Sequence, residues 1–411
     1  MRPEATERRT APLSPAQLAI WMHEQVSAEP TLYIEHACYE ILGPLDEDAF
    51  AATVEQAIAA HPAFTAAVRV RDRVPEMVFG AHAVPVERWT VGADELDGTV
   101  ERESLTGPSL AGGPMSRCLL LSVAPGRRVL LLVWHHLVAD GASLRVFLRT
   151  LEALRSGAAP TGAPAPVTPP APADTTARAR AVAERVGALP VRALPALEDG
   201  PGRSRRLVLT EDAGAVPGLA RAATAARVTV PMLLTGAYQR AVGEVLGLEE
   251  FLLGCVAAGR WTPGSENVVG CFVNTILLRA DGRPGRPDRE LLRTSGRELT
   301  TALADQDVPF GAVAGHLLRE ARPRPRYFPQ IYLSMDGPHP LDLPGLDCRR
   351  VRVHHPQAKF EVALIVEFDP DGVQGVLQYR TSALTDSTAR HLLDAFTAHV
   401  RRLAGGHPAR S

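Results

Sequence analysis

The sequence predicts an α/β fold made of two layered α/β lobes. Apolar strands and amphipathic helices alternate along both halves of the chain. They do so without the strict βαβ repeat of a doubly wound sheet, which favours α/β sandwiches. A proline-rich stretch at Ser156–Thr176 divides the chain, and 411 residues suffice for two domains. We therefore expect an N-terminal lobe over 1–155, a Pro/Ala-rich linker and crossover over 156–200, and a C-terminal lobe over 201–411.

The N-terminal half shows a strand, a helix and then a hairpin. A strand pattern over residues 31–42 precedes a helical pattern that carries Phe50, Val54 and Ile58 on one face and stops at Pro62. Apolar runs at 115–123 and 128–135 are separated by turn residues, which predicts a buried hairpin. Helical periodicity resumes after Gly141, so the local order is strand, tight loop, helix.

The C-terminal half repeats the alternation of helices and strands. Thr229 is positioned to cap a helix that has Pro231 in its first turn. Strand patterns follow, and a final amphipathic helix stops at Gly405. The predicted strands cover residues 251–259, 271–279, 327–335, 360–368 and 373–380.

Composition excludes several classes of function. With 46 acidic against 44 basic residues, the formal charge of -2 gives no long-range attraction to nucleic acid or anionic membranes. The five cysteines are scattered singly, unlike a zinc site or a disulfide scaffold. The polar N-terminus shows no signal peptide, and no apolar run is long enough to span a membrane. These features predict a cytoplasmic protein without nucleic-acid or membrane partners.

The motifs that bind nucleotides or supply a hydrolytic serine are missing. The chain contains no GxxxxGK[ST] loop, no GxGxxG after a strand and no GxSxG. We therefore expect no permanently bound cofactor. Any group transfer has to start from a substrate that is already activated.

One constellation points to chemistry: His135, His136, Asp140 and Gly141 form HHxxxDG at the end of an apolar strand. Successive side chains on a strand face opposite ways, so only one histidine is expected to be catalytic. A histidine there that stays neutral near pH 7 can take a proton from an attacking amine or hydroxyl. A structural core histidine is the alternative, and the diverging side chains disfavour a metal site, so we predict none.

Asp140 has two possible roles. It can cap the helix that follows, or it can form a buried ion pair with an arginine and shape the loop that aims the histidine. Gly141 then serves a backbone turn or a close approach by substrate.

At this point the chain resembles the condensation domains of nonribosomal peptide synthetases, within the chloramphenicol-acetyltransferase-like superfamily. Four segments resemble motifs of that family in the same order, and 377–396 is similar to its closing strand and helix. The segments are LSPAQLAIW at 13–21, the HHxxxDG segment, VVGCFVNTILLR at 268–279 and DQDVPF at 305–310.

The resemblance implies two chloramphenicol-acetyltransferase-like lobes in a V, with a tunnel between them that contains His136. An acyl or aminoacyl thioester on carrier-protein phosphopantetheine enters one side and an amine or alcohol the other. His136 is implied as the catalytic residue, either removing a proton or hydrogen-bonding the tetrahedral intermediate. His135 and Asp140 become structural, Asp140 paired with Arg279. Amides at Gly141, Ala142 and Ser143 are candidates for holding the oxyanion.

Further candidates lie in the second half. The resemblance implies that Asn274 and Thr275 line the tunnel, and Ser334, inside an apolar strand, either faces the tunnel or is a core hydroxyl. Read from the residues alone, Arg279 is a surface arginine at a strand end, and the other three are strand or core residues with locally bonded side chains.

The chain also departs from the family pattern. The segment at 60–68 keeps only His61 of the usual arginine-rich motif, which favours a small-molecule acceptor that is not carrier-bound. No adenylation or carrier domain is attached, so we expect a free-standing condensation enzyme. Amide formation is the first expectation and ester formation the second. An acyl-CoA-dependent acyltransferase and an inactive recruitment module are the rivals.

Overall fold

The computed structural model describes residues 9–27, 29, 31–108, 110, 112–159, 174–198, 202–211, 216–319, 321–353, 357–369 and 372–405. The chain forms two compact units. The first comprises 1–171, 260–273 and 339–355, and the second comprises 172–259, 274–338 and 356–411. Two segments expected in the C-terminal lobe thus belong to the first unit. The proline-rich part of the predicted linker, 160–173, lies outside the described residues.

The elements up to residue 186 are, in chain order, β1 (Thr10–Pro12), α1 (Pro15–Val26), β2 (Ile34–Leu42), α2 (Glu47–Ala59), β3 (Ala67–Arg71), β4 (Val74–Val78), β5 (Val86–Thr90), α3 (Leu96–Leu105), β6 (Ser116–Ala124), β7 (Arg127–His135), α4 (Gly141–Arg155) and α5 (Thr175–Val186). The later elements are β8 (Ser204–Glu211), α6 (Val216–Ala226), α7 (Val230–Leu246), β9 (Glu250–Ala257), a short 3-10 helix (Ser265–Asn267), β10 (Asn274–Asp281), α8 (Asp288–Ala304), α9 (Phe310–Leu317), β11 (Ile331–Asp336), β12 (Asp347–Val351), β13 (Val362–Asp369), β14 (Gly372–Arg380) and α10 (Asp386–Leu403).

The first unit contains a five-stranded sheet with the order β12-β2-β7-β6-β5 and a small antiparallel sheet β1-β4-β3. The predicted hairpin is β6–β7 at the centre of the larger sheet. Strand β7 is buried on both faces, because Leu130 and Leu132 pack with α2 and α4 while Leu131 and Val133 pack with α3. This explains its uninterrupted apolar run, which replaces the alternation of a half-exposed strand. His135 is the last residue of this buried strand.

The second unit is built on one six-stranded sheet with the order β10-β9-β11-β13-β14-β8. Side chains of α7, α8 and α10, among them Tyr238 and Phe396, cover one face. Helices α5 and α9 cover part of the other face through Val186 and Val313. The sequence TTARARAVAERV, expected in the crossover, is α5 of this unit.

Each unit is a layered α/β sandwich, and the predicted α/β fold class is confirmed. The strand expected over 327–335 begins only at Ile331. Residues 271–273, expected in the strand that ends at Arg279, lie outside β10, which begins at Asn274. The reason is that Gly270 and Phe272 bind side chains of the first unit through their backbone. The V-shaped arrangement of the lobes and the tunnel stay predictions.

Candidate active site

The HHxxxDG residues lie in a tight turn between the central strand β7 and helix α4. The backbone amide of His136 donates to the Tyr33 carbonyl at 2.8 Å, and the amide of Val138 donates to the His135 carbonyl at 3.0 Å. Helix α4 begins at Gly141, one residue after Asp140. The chain therefore reverses within five residues, and the backbone at the start of β2 holds His136 in place.

The two histidines have different environments, as strand alternation predicts. His135 is fully buried. Its Nδ1 accepts a hydrogen bond from the amide of Leu137 at 3.1 Å, so its proton is on Nε2. Nε2 donates to Oε2 of Glu24 at 2.7 Å. Because both ring nitrogens bind protein groups, the geometry of His135 is that of a structural residue.

His136 has the opposite tautomer. Its Nδ1 lies 3.1 Å from the carbonyl oxygen of Ala139, and a carbonyl only accepts, so Nδ1 carries the proton. The same carbonyl also accepts from the indole nitrogen of Trp134 at 3.1 Å. In the neutral ring the lone pair is therefore on Nε2. The side chain is 19% exposed, which leaves it accessible while its ring is held at Nδ1.

Asp140 fulfils both roles that the sequence left open. As N-cap of α4 its Oδ1 accepts the amide of Ser143 at 2.9 Å, and as an ion pair the same oxygen lies 2.6 Å from Nη2 of Arg260. Its Oδ2 accepts the amide of Phe272 at 3.0 Å. The side chain is fully buried, so each of these bonds replaces a lost hydration contact.

The arginine that pairs with Asp140 is Arg260, and the expected pairing with Arg279 is wrong. Arg260 directly follows the turn after β9, and its Nη1 donates to the carbonyls of Ser265 and Val268. Its guanidinium carbon lies 4.4 Å above the ring centre of Phe272. Arg279 is on β10 in the second unit, where its Nη1 donates to the Arg185 carbonyl at 3.2 Å.

The start of α4 contains the candidate oxyanion donors. Ser143 does not fit that role, because its amide binds Asp140 and its buried hydroxyl contacts Asp140, Arg260 and the backbone of Gly270. It is a structural residue of the cap. The amides of Gly141 and Ala142 belong to the first helical turn, where no intrahelical acceptor exists. They stay candidates for stabilising an oxyanion.

Helix α1 supports the turn of the HHxxxDG residues from a second side. Ser14 and Gln17 form a capping box, and the Gln17 side chain also donates to the Leu137 carbonyl at 2.8 Å. Together with the Glu24–His135 bond, this ties α1 to the turn at two points. The segment at 13–21 resembles a family motif, but the resemblance does not specify these contacts. The signal was present, since S-x-x-Q before an apolar run is a capping-box pattern.

Tyr33 lies at the same corner of the site. Burial, and then the charges of Glu24 and Cys271, raise the pKa of its hydroxyl above the ordinary value. The phenol is therefore neutral at physiological pH. Its hydroxyl contacts Nδ1 of His23 at 3.1 Å.

In the described contacts, the predicted tunnel residues of the second unit bind other residues of the same unit. The Asn274 side chain donates to the carbonyls of Gln306 and Val308 at 2.9 and 2.6 Å and accepts the amide of Phe310 at 3.1 Å. This joins the two motifs FVNT and DQDVPF. Thr275 hydrogen-bonds the Tyr332 side chain, and Ser334 is half-buried on β11. The tunnel-lining role of these residues stays a prediction.

Within the described ranges, no group of three or more His, Cys, Asp or Glu side chains is arranged to hold a metal ion. In the same part of the chain, none of the helices combines the length and apolar character needed to cross a bilayer.

The comparisons with known proteins agree on one family. The model of the condensation domain matches residues 7–161 and 184–410. Among relatives, the chain is 29% identical to the probable non-canonical nonribosomal peptide synthetase CymA of Salinispora arenicola (strain CNS-205), and 26% identical to chondramide synthase cmdD of Chondromyces crocatus. The matches cover 97% and 95% of this chain but only 6% and 11% of the relatives.

Solved structures agree on the fold. The X-domain from teicoplanin biosynthesis has a TM-score of 0.78 at 19% identity and covers 99% of this chain and 97% of its own. The starter condensation domain of rhizomide synthetase RzmA, a mutant in complex with C8-CoA, has a TM-score of 0.81 at 18% identity and covers 96% and 95%. The chain belongs to the condensation-domain family.

Proposed function

From this family membership, we propose that the protein transfers an acyl or aminoacyl group from a carrier-protein phosphopantetheine thioester to an amine, forming an amide in natural-product biosynthesis. One observation carries the proposal: His136 is held at Nδ1 by the Ala139 carbonyl, so its lone pair is on Nε2. A nitrogen fixed in this tautomer is suited to accept a proton from an attacking nucleophile.

The reaction balances with His136 as the proton carrier. The amine nitrogen attacks the thioester carbonyl carbon and forms the C–N bond, and Nε2 takes the proton that the nitrogen loses. The C–S bond then breaks with its electron pair on sulfur, and the imidazolium returns the proton to the thiolate. Amides at the start of α4, from Gly141 and Ala142, stabilise the oxyanion between these steps.

The buried network around Asp140 keeps this geometry. Asp140 fixes the start of α4 and, through Arg260, the segment 260–273. The network does not touch the imidazole itself, so Asp140 and Arg260 are positioning residues. We expect their loss to disturb the turn that aims His136.

The partners follow from the chemistry. The thioester supplies the activation, and the chain contains no motif for binding ATP phosphates. The proposed partners are therefore an acyl or peptidyl carrier protein and a small amine, with no cofactor of the protein's own. The expected free-standing role stays a prediction.

Mass spectrometry of transfer products tests the proposal. The purified chain is incubated with a panel of acylated carrier proteins and a mixed pool of amines and alcohols. We expect amides that depend on the protein and fall at least about a hundredfold with His136→Ala. His391→Ala, at an exposed position of α10, is the matched control and retains the wild-type rate.

The other outcomes separate the rivals. Esters in place of amides would make the acceptor an alcohol. Transfer from acyl-CoA but not from carriers would favour a donor like the C8-CoA bound to the RzmA domain. No transfer from either donor would contradict the proposal and favour a recruitment role, for which the X-domain solved in complex with OxyB is a structural neighbour.

A further inference from the structure

A carboxylate lies beside the reactive nitrogen of His136. Glu35 is the second residue of β2, where it pairs with Trp134 of β7. The bond between the His136 amide and the Tyr33 carbonyl continues this pairing past the strand end. As a result, Oε1 of Glu35 lies 4.0 Å from Nε2 of His136.

The spacing fits one atom between the two groups. A distance of 4.0 Å is too long for a direct hydrogen bond. At an atom about 2.8 Å from both groups, the directions to Oε1 and to Nε2 form an angle of roughly 90°. A tetrahedral nitrogen can approach this angle with two of its N–H bonds. The side chains are 36% and 19% exposed, so both groups are accessible from solvent.

Two carboxylates near the turn bind groups of the turn itself: Glu24 accepts the proton of His135, and Asp140 binds Arg260 together with the start of α4. Strand pairing places a third carboxylate, that of Glu35, 4.0 Å from Nε2.

We propose that Glu35 is a specificity residue that binds the acceptor as an ammonium ion and selects amines over alcohols. The proposal rests on the proposed function and deepens it. An ammonium nitrogen donates one charge-assisted hydrogen bond to Glu35 and another to Nε2 of His136. A neutral alcohol has one hydroxyl proton and carries no charge, so it cannot make both contacts.

The proton balance differs between the two kinds of acceptor. An ammonium ion loses two protons when it becomes an amide nitrogen, whereas an alcohol loses one when it becomes an ester oxygen. The first proton passes to water beside the partly exposed Glu35, which yields the neutral amine. The second goes to Nε2 of His136 as the C–N bond forms, and from there to the leaving thiolate.

The kinetic test uses Glu35→Gln, which keeps the shape of the side chain and removes its charge. Matched amines and alcohols with the same carbon skeleton are compared as acceptors. We expect kcat/KM for the amine to fall about ten- to hundredfold, mainly through KM, and that for the alcohol to change by less than about threefold. Glu40→Gln is the control, since Glu40 is on the same strand but pairs with Arg127. An equal change for both acceptors, or none for the amine, would overturn the proposal.

A binding measurement separates this proposal from the proposed function. Propylammonium is titrated into protein with 13C-labelled histidine, with the His136 signal assigned by its loss in His136→Gln. We expect a saturable shift of that signal that disappears in Glu35→Gln and is absent with propanol. An unchanged signal in the wild type would refute ammonium binding at Glu35, even if transfer occurs. A shift without any transfer would retain Glu35 as an ammonium site and reject only the proposed reaction.

Discussion

Each unit holds a loop segment in place, but the contacts that do so differ chemically. In the first unit the segment 260–273 is held by a buried charged network, with Arg260 between Asp140 and two backbone carbonyls. In the second unit, the loop around 305–310 is held by the neutral side-chain amide of Asn274 and by an ion pair between Arg178 and Asp307. The Arg178 side chain is about one-third exposed to solvent. The charged network lies beside the turn that contains His136. This difference predicts a ranking of mutational effects.

The tryptophans allow the two units to be followed separately. All four, Trp21, Trp89, Trp134 and Trp261, belong to the first unit. Tryptophan fluorescence during urea unfolding therefore reports the first unit, while far-UV circular dichroism reports both.

The largest effect is expected for Arg260→Met. Removing the guanidinium leaves the fully buried Asp140 carboxylate without its counterion, which costs about 3–5 kcal/mol of unfolding free energy. The tryptophan transition should move to lower urea, with little dependence on salt. Arg279→Met is the matched control and should shift the tryptophan transition by less than about 0.5 kcal/mol. Equal shifts for both variants would refute the assignment of Arg260 as the partner of Asp140.

A second large effect in the first unit depends on pH. Burial lowers the pKa of His61 to about 4, and its Nε2 contacts the Thr150 hydroxyl on α4 at 2.9 Å. The folded pKa lies below the unfolded value near 6.5, so unfolded chains bind more protons below pH 6.5. Stability is complete above about pH 6.5 and falls by up to about 3 kcal/mol toward pH 4.

Urea titrations across this pH range test the role of His61. We expect the slope of the unfolding free energy against pH to flatten in His61→Gln. An unchanged slope would assign the acid sensitivity to other groups.

Asn274→Ala tests how the loop of the second unit is held. It leaves three backbone groups of the 306–310 segment without their partner, at a cost of about 1–3 kcal/mol. The circular-dichroism transition should shift more than the tryptophan transition. Hydrogen exchange should accelerate at the Phe310 amide. A larger shift in the tryptophan transition would contradict the placement of the Asn274 hydrogen bonds in the second unit.

The smallest effect is expected for Arg178→Ala. Its side chain is 35% exposed and the bonded Asp307 is 21% exposed, so solvent screens the pair, although the arginine holds the pKa of Asp307 below its usual value. We expect a loss of at most about 1 kcal/mol, which disappears in high salt. A salt-independent loss of unfolding free energy as large as that of Arg260→Met would show that the exposed pair stabilises its unit as strongly as the buried network does.

Local structure was predictable from the sequence because it depends on short-range patterns. The hairpin β6–β7, the cap at Asp140 and the opposite directions of His135 and His136 follow from periodicity and turn chemistry. The α/β class followed from the same patterns.

Long-range partners could not be predicted, and the arginines show why. Arg260 and Arg279 both follow apolar strand patterns, so their local sequence does not distinguish them. Only the path of the chain decides, since 260–273 belongs to the first unit and β10 to the second. Glu35 was missed for a related reason: strand pairing with Trp134, 99 positions later in the sequence, brings it near His136.

We propose that Nε2 of His136 carries the proton in acyl transfer. The most direct test is the single-turnover rate of amide formation from an acylated carrier protein, measured by rapid quench for wild type and His136→Ala at equal folded fractions. The structure predicts a loss of at least about a hundredfold with an unchanged tryptophan unfolding transition. A rate within about twofold of wild type would contradict the claim.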